Sequence, residues 1–97
     1  MNHPRSALDK ELLAPLRLSI AAALSRVGEA DFGSVRDAIE TNDAELSRQI
    51  TRLQAAGYLT IDKRSSGRYG KTWLALTDAG REALAGHVDA LRRITGE

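Results

Sequence analysis

The sequence contains no cysteine, which removes disulfides, thiolate metal sites and thiol redox sensing from its chemistry. Proline occurs twice, and the only aromatic residues are Phe32, Tyr58, Tyr69 and Trp73, so the core must be built from Leu, Ile, Val and Ala. No apolar run approaches the roughly 20 residues that span a bilayer. The opening stretch MNHPRSALDKELL also lacks the long apolar segment of a secretory signal. A cytoplasmic protein is therefore expected, with no membrane partner. Of the two histidines, His3 sits in a polar tail and His87 beside an apolar stripe, where Asp89 is two positions away and cannot converge with it on a helix. Neither suggests a metal, and no cofactor is implied. A nucleophile elbow, a P-loop and a glycine-rich dinucleotide motif are all missing, so an enzyme is not expected.

An excess of one charge sign is nearly absent from the chain as a whole, whose net charge is +1 over 97 residues, but not from every part of it. Between residues 44 and 73, Arg48, Arg52, Lys63, Arg64, Arg68 and Lys71 face only Glu45 and Asp62, a local charge of +4. The flanking segments are slightly acidic, at −2 for residues 1–43 and −1 for residues 74–97. A cationic face on a mildly acidic body is the electrostatic footprint of a nucleic-acid-binding protein. The length suits one domain spanning 1–97, small enough that dimerisation would add useful burial.

Hydrophobic periodicity orders the chain. Residues 7–14 suggest a short helix started near Ser6 or Asp9, within an N-terminal arm of residues 1–14. Pro15 then fits the first turn of a second helix, whose buried face is expected to be Leu13, Leu16, Ile20, Leu24 and Val27, with Gly28 as its stop. Phe32 lies in a connection that has room for one short strand. Ser34 is a candidate cap for a third helix over 35–40, with a tight turn over Glu40, Thr41 and Asn42. Asn42 caps a fourth helix over 43–56, with Glu45 completing a capping box and Gly57 ending it. Along that helix Leu46, Ile50 and Leu53 fall on one side, and Ala44, Arg48, Thr51, Arg52 and Ala55 on the other.

After Gly57 the period changes from 3.6 to 2. Leu59 and Ile61, then Leu74 and Leu76, alternate with polar or small residues around the basic, glycine-containing loop 63–72. Trp73 is on the opposite face from Leu74 and Leu76, where a neighbouring helix or a partner subunit is expected to cover it. Thr77 caps a last helix with the stripe Leu84, Val88 and Leu91, widened by Ala83, His87 and Ala90. The order α-α-α-α-β-β-α is mainly α with a small β-hairpin (α+β). Two helices over 34–57 joined by a three-residue turn, then a hairpin over 58–76 and a helix over 77–95, make a winged helix-turn-helix.

The segments PLRLSIAAAL (15–24), DFGSVRDAI (31–39), ELSRQITRLQAAGYL (45–59) and LALTDAGREAL (74–84) carry a resemblance. With the hairpin between the last two, the sequence resembles the small winged-helix transcriptional regulators related to the MarR and ArsR groups. That resemblance implies a homodimer on a pseudo-palindromic operator, with the recognition helix in the major groove and the wing on the backbone or minor groove. Carried over by position, Ala44, Glu45, Ser47, Arg48, Thr51 and Arg52 would face the groove. Arg64, Ser66, Arg68 and Lys71 would make the wing contacts. The short termini depart from the larger MarR proteins, which puts a sizeable ligand pocket in doubt. The absence of cysteine departs from metal-sensing ArsR proteins.

From the residues themselves, Arg48 can address guanine, whereas Glu45 fits better as part of the cap than as a base contact. Tyr69 is placed to donate to a phosphate. Leu8, Leu12, Leu84, His87, Val88 and Leu91 are the expected dimer interface. The expected function is a sequence-specific regulator of double-stranded DNA, a homodimeric repressor. The alternative is a winged-helix module for protein–protein or RNA binding, since a fold does not fix a function. Operator, regulated genes and any small-molecule effector are not legible.

Overall fold

In the computed structural model, residues 2–66 and 69–96 are described, Ser66 and Tyr69 through their backbone. Helix α1 (Pro15–Ser25) opens on Pro15, whose missing N–H falls where no intrahelical partner exists, and buries Ile20, Ala21 and Leu24. It ends three residues before Gly28, the expected stop. Leu13 and Val27, expected on its buried stripe, are 57% and 43% exposed. Leu13 precedes the helix and Val27 follows it, so neither shares its phase.

The helix expected over 7–14 does not form. Two 3₁₀ turns, Pro4–Ala7 and Glu11–Leu13, take its place. The cause is Asp9, whose carboxylate accepts from Glu11 N at 2.8 Å and Leu12 N at 3.3 Å, a local bond that competes with a helix. Asp9 N donates in turn to His87 Nδ1 at 2.9 Å, which ties the arm to the last helix. Leu12 is carried into the core.

A two-residue strand β1 (Ala30–Asp31), the short strand allowed for near Phe32, leads directly into α2 (Phe32–Ala38). The cap of α2 is Asp31, not Ser34: the Asp31 carboxylate accepts from Ser34 N at 3.2 Å and from Ser34 Oγ at 2.6 Å. The helix therefore starts before the expected Val35. It closes through Glu40, a non-glycine residue with φ of 55°. Glu40 N donates to Asp37 O at 3.2 Å and Thr41 N to Arg36 O at 3.0 Å, the two bonds of a Schellman closure.

Helix α3 (Asp43–Ala55) begins as the sequence suggests, with Asn42 Oδ1 accepting from Glu45 N at 2.8 Å. The reciprocal half of the box is not made, because the Glu45 carboxylate accepts from Arg48 and Gln49 instead. Gly57 ends the helix at φ 83°, where L side chains are strained. Its N–H donates to Gln54 O at 2.9 Å and that of Tyr58 to Leu53 O at 3.0 Å.

Strands β2 (Leu59–Ser66) and β3 (Tyr69–Leu76) pair antiparallel from Leu59↔Leu76 out to Ser66↔Tyr69. The stretch 63–72, expected as a loop, is thus largely ladder. β1 pairs with the other edge of β3 through Ala30↔Leu74 and Asp31↔Trp73, giving the order β1-β3-β2. Period 2 puts Leu59, Ile61, Leu74 and Leu76 on the core face, and Asp62, Arg64, Lys71 and Trp73 on the outer one.

Helix α4 (Asp78–Thr95) explains the run Leu76-Thr77-x-x-Gly80-Arg81 within LALTDAGREAL. Thr77 Oγ1 accepts from Gly80 N at 3.0 Å to cap the helix, and donates to Gly57 O at 2.6 Å. Gly80 is buried against the Tyr58 backbone: a Cβ there would stand 3.0 Å from Tyr58 C, 3.1 Å from its Cα, and nearer still to its carbonyl oxygen. Arg81 donates to Ser25 O at 3.3 Å and Val27 O at 3.1 Å, satisfying carbonyls at the C-terminal end of α1. One turn of α4 thus fastens the ends of α1 and α3. Its inner face is Gly80, Leu84, His87 and Ala90, a rotation from the expected stripe that leaves Leu91 and Ile94 exposed.

Candidate nucleic-acid interface

Burying Leu46, Ile50 and Leu53 fixes the rotation of α3 about its axis, each contributing about 1.5–3 kcal/mol on leaving water. The opposite side is then compelled outward. Ala44, Ser47, Arg48, Thr51 and Arg52 are all exposed there, as the sequence suggests. Thr51 Oγ1 donates to Ser47 O at 2.8 Å, which leaves its oxygen lone pairs facing out as acceptors. The Arg48 and Arg52 side chains retain 67% and 60% of their accessible surface.

The arginines are not bare. Arg48 pairs with Glu45, and Arg52 Nε donates to Glu11 Oε2 at 2.9 Å across 41 residues of chain. Behind them lies Arg17, which is buried. Its Nε donates to Glu11 O at 2.7 Å, its Nη1 to Gln49 Oε1 at 2.8 Å, and the Glu11 carboxylate lies 3.5 Å from Nε. Gln49 Nε2 donates onward to Glu45 Oε1 at 3.0 Å. Hydrogen bonds from Gln49 and then Arg48 hold the Glu45 carboxyl below its ordinary pKa. Arg17, Gln49 and Glu11 were not foreseen, because a single Arg on a helix with apolar neighbours gives no sign of partners that lie far along the chain.

On the hairpin, Arg64, an expected wing contact, is held by partners within the chain. Its Nε donates to Asp62 Oδ2 at 2.8 Å, and Nη1 and Nη2 grip both oxygens of Glu29 at 2.9 and 2.8 Å. Its guanidinium also lies 5.3 Å from the centroid of Trp73. Arg64 thus lies over the Trp73 ring, with Lys71 Nζ 6.0 Å from its centroid. The pair lowers the Glu29 pKa, chiefly through the hydrogen bonds from Arg64, and raises that of the guanidinium. Arg64 reads as a brace between the wing and the loop before β1. Among the described residues, Lys63 and Lys71 form no salt bridge, although Lys71 leans on the Trp73 ring. Of the other expected wing contacts, Ser66 and Tyr69 are placed only as the outermost strand pair, and Arg68 lies outside the described residues.

Residues 16–95 match the family described as winged helix DNA-binding domain. The chain belongs to that family. Its fold is similar to that of a transcriptional regulator homologue from Pyrococcus horikoshii OT3, with a TM-score of 0.89 and 22% identity over 98% of this chain and 95% of that one. It is also similar to BpsR from Bordetella bronchiseptica, described as having its DNA binding regulated by 6-hydroxynicotinic acid. There the TM-score is 0.75 and the identity 23%, over 94% of this chain and 68% of that one. At these identities the likeness is one of fold. A curated relative, a riboflavin kinase from Haloquadratum walsbyi, is 29% identical over the whole of this chain but only 40% of its own length. The kinase activity is that protein's.

In winged-helix terms, α2 and α3 form the helix-turn-helix and β2–β3 the wing. Among the described residues there is no pocket, no cluster of three metal-ligating side chains and no helix long and apolar enough to cross a membrane. Of the six residues expected between subunits, Leu12, Leu84 and His87 are covered within one chain, where the arm and α4 close over the core. Leu8 and Val88 are half-buried, and Leu91 is exposed.

Proposed function

We propose that this winged-helix protein is a sequence-specific regulator of double-stranded DNA, acting in the cytoplasm as a homodimeric repressor over the single domain 1–97. The observation that carries the reading is the outward face of α3. Small residues Ala44, Ser47 and Thr51 flank Arg48 and Arg52, so a backbone can approach base edges closely while two guanidiniums reach guanine or phosphate. The wing supplies Lys63 and Lys71 to the backbone beside that groove. Ser66 and Tyr69, the outermost strand pair, and Arg68, by its place in the sequence, are candidates for the same role.

Dimerisation is supported by apolar surface that one chain leaves uncovered: Leu13, Val27, Leu91 and Ile94 are each more than a third exposed. A two-fold pair covering Leu91 and Ile94, flanked by Val88 and Leu8, would present two α3 helices to successive major grooves about 34–36 Å apart. Repression then follows from occupancy of the operator.

Selection of bound fragments from random duplex DNA, followed by competition with structured RNA and single strands, tests this. Enrichment of a palindromic duplex that RNA does not displace is expected. Preferential binding of RNA, or enrichment of no sequence, would overturn it.

A further inference from the structure

We propose that Glu11, on the N-terminal arm, occupies Arg52 in the free protein and so lowers affinity for DNA that offers phosphates without the right bases. The proposal rests on the DNA-binding reading above and adds an internal competitor to it. Its geometry is specific. Glu11 Oε2 accepts from Arg52 Nε at 2.9 Å, on the face of α3 that is turned outward. The glutamate is not a free surface side chain that happened to find a cation. Its backbone carbonyl accepts from buried Arg17 at 2.7 Å, and its N–H is held by the Asp9 carboxylate at 2.8 Å. The same Asp9 is fastened to α4 through His87 Nδ1 and to the start of β2 through the Tyr58 hydroxyl. The arm is thus built to present this one carboxylate to α3.

A phosphate approaching Arg52 meets a site already filled by an anion. Exchange of Glu11 for phosphate leaves the carboxylate beside the DNA backbone, where like charges repel. Non-specific binding, which depends almost wholly on phosphates, loses most from this. Specific binding retains its base contacts through Arg48 and its neighbours. The carboxylate therefore widens the gap between operator and bulk DNA while lowering affinity for both.

The test is a fluorescence anisotropy titration of the full chain on a random-sequence duplex and on the selected duplex. Wild type is compared with E11Q, E11D, R52Q and E11Q/R52Q. E11Q should tighten binding to the random duplex roughly two- to five-fold, the range expected for releasing one exposed ion pair. The salt dependence should steepen by about 0.9 per decade as Arg52 gains a phosphate. The selected duplex should gain less, so the ratio between the two falls. E11D keeps the charge but withdraws it by one methylene, and should move in the same direction. In the R52Q background the gain from E11Q should shrink to the small part that comes from removing a negative charge near the DNA. Equal or weaker binding by E11Q and E11D with unchanged melting temperatures would overturn the proposal, as would an equal gain without Arg52. Wild type that binds no duplex would remove the DNA-binding reading itself.

Discussion

Two glycines six positions apart in α4 should respond to alanine with opposite signs. Gly80 packs on the backbone of Tyr58, and an added Cβ would sit 3.0–3.1 Å from its C and Cα atoms and closer still to its carbonyl oxygen. Those atoms belong to the junction between the α3 cap and β2, so they cannot swing aside like a side chain tip. Relief requires moving α4 outward, which stretches Thr77 N→Tyr58 O, now 3.0 Å, and Thr77 Oγ1→Gly57 O, now 2.6 Å. Overpacking of this kind costs about 1–3 kcal/mol. Each weakened hydrogen bond adds about 0.5–1.5 kcal/mol. Against this, alanine gains about 1 kcal/mol of helix propensity. The net expectation for Gly80→Ala is a loss of about 2–4 kcal/mol, or a fall in Tm on the order of 10–20 °C for a chain of this size. Gly86, in the same helix, has open space where a Cβ would stand, with nothing within 4 Å, so only propensity acts. Gly86→Ala should stabilise by about 0.5–1 kcal/mol. Urea denaturation of both variants, monitored by far-UV circular dichroism, measures the pair. Gly80→Ala as stable as wild type would refute the docking argument.

The Tyr58 hydroxyl is pushed up to about 12 by its hydrogen bond to Asp9, with burial adding to the effect. A pKa raised on folding means that the contribution is complete below the unfolded value near 10 and is lost as pH rises from there through about 12. Stability in that window should fall in wild type and hold flatter in Tyr58→Phe, read by urea midpoints. Lys71→Ala should weaken all duplex sequences alike and shallow the salt slope by about 0.9, since a phosphate contact carries no base information. Leu91→Arg should convert a dimer into a monomer by light scattering and lower operator affinity, with little loss of monomer stability because Leu91 is already exposed. Arg64→Ala, by unseating Glu29 and uncovering Trp73, should change the Trp73 fluorescence and lower affinity on every sequence, because the wing loses its brace.

Signals that act within one turn of chain were legible. Asn42 and Thr77 cap the helices they were expected to cap, Gly57 ends α3, and the change of period after Gly57 marks the hairpin. The outward residues of α3 followed from the buried triplet Leu46, Ile50 and Leu53 alone. What escaped was decided by partners far along the chain or by competing local bonds. The Asp9 carboxylate turned an apparent helix into two 3₁₀ turns, and Asp31 displaced Ser34 as the cap of α2 because it lies one residue before the helix begins. Arg64 has the sequence context of a wing contact, and its pairing with Glu29, 35 residues earlier, left no mark in that context. Arg64 lies over the Trp73 ring from the adjacent strand, a diagonal contact that only the observed register defines. Charge counting also overstated the open cationic face. Of the five basic residues described between 44 and 73, Arg48, Arg52 and Arg64 are paired within the chain.

The central claim is that the exposed face of α3 reads duplex sequence, and Arg48 tests it most directly. Wild type and Arg48→Ala are titrated by anisotropy against the selected duplex and a scrambled duplex at one salt concentration. A loss of about 1–3 kcal/mol on the selected duplex, with little change on the scrambled one, is the predicted result. Equal effects on both duplexes, or none on the selected one, would contradict it.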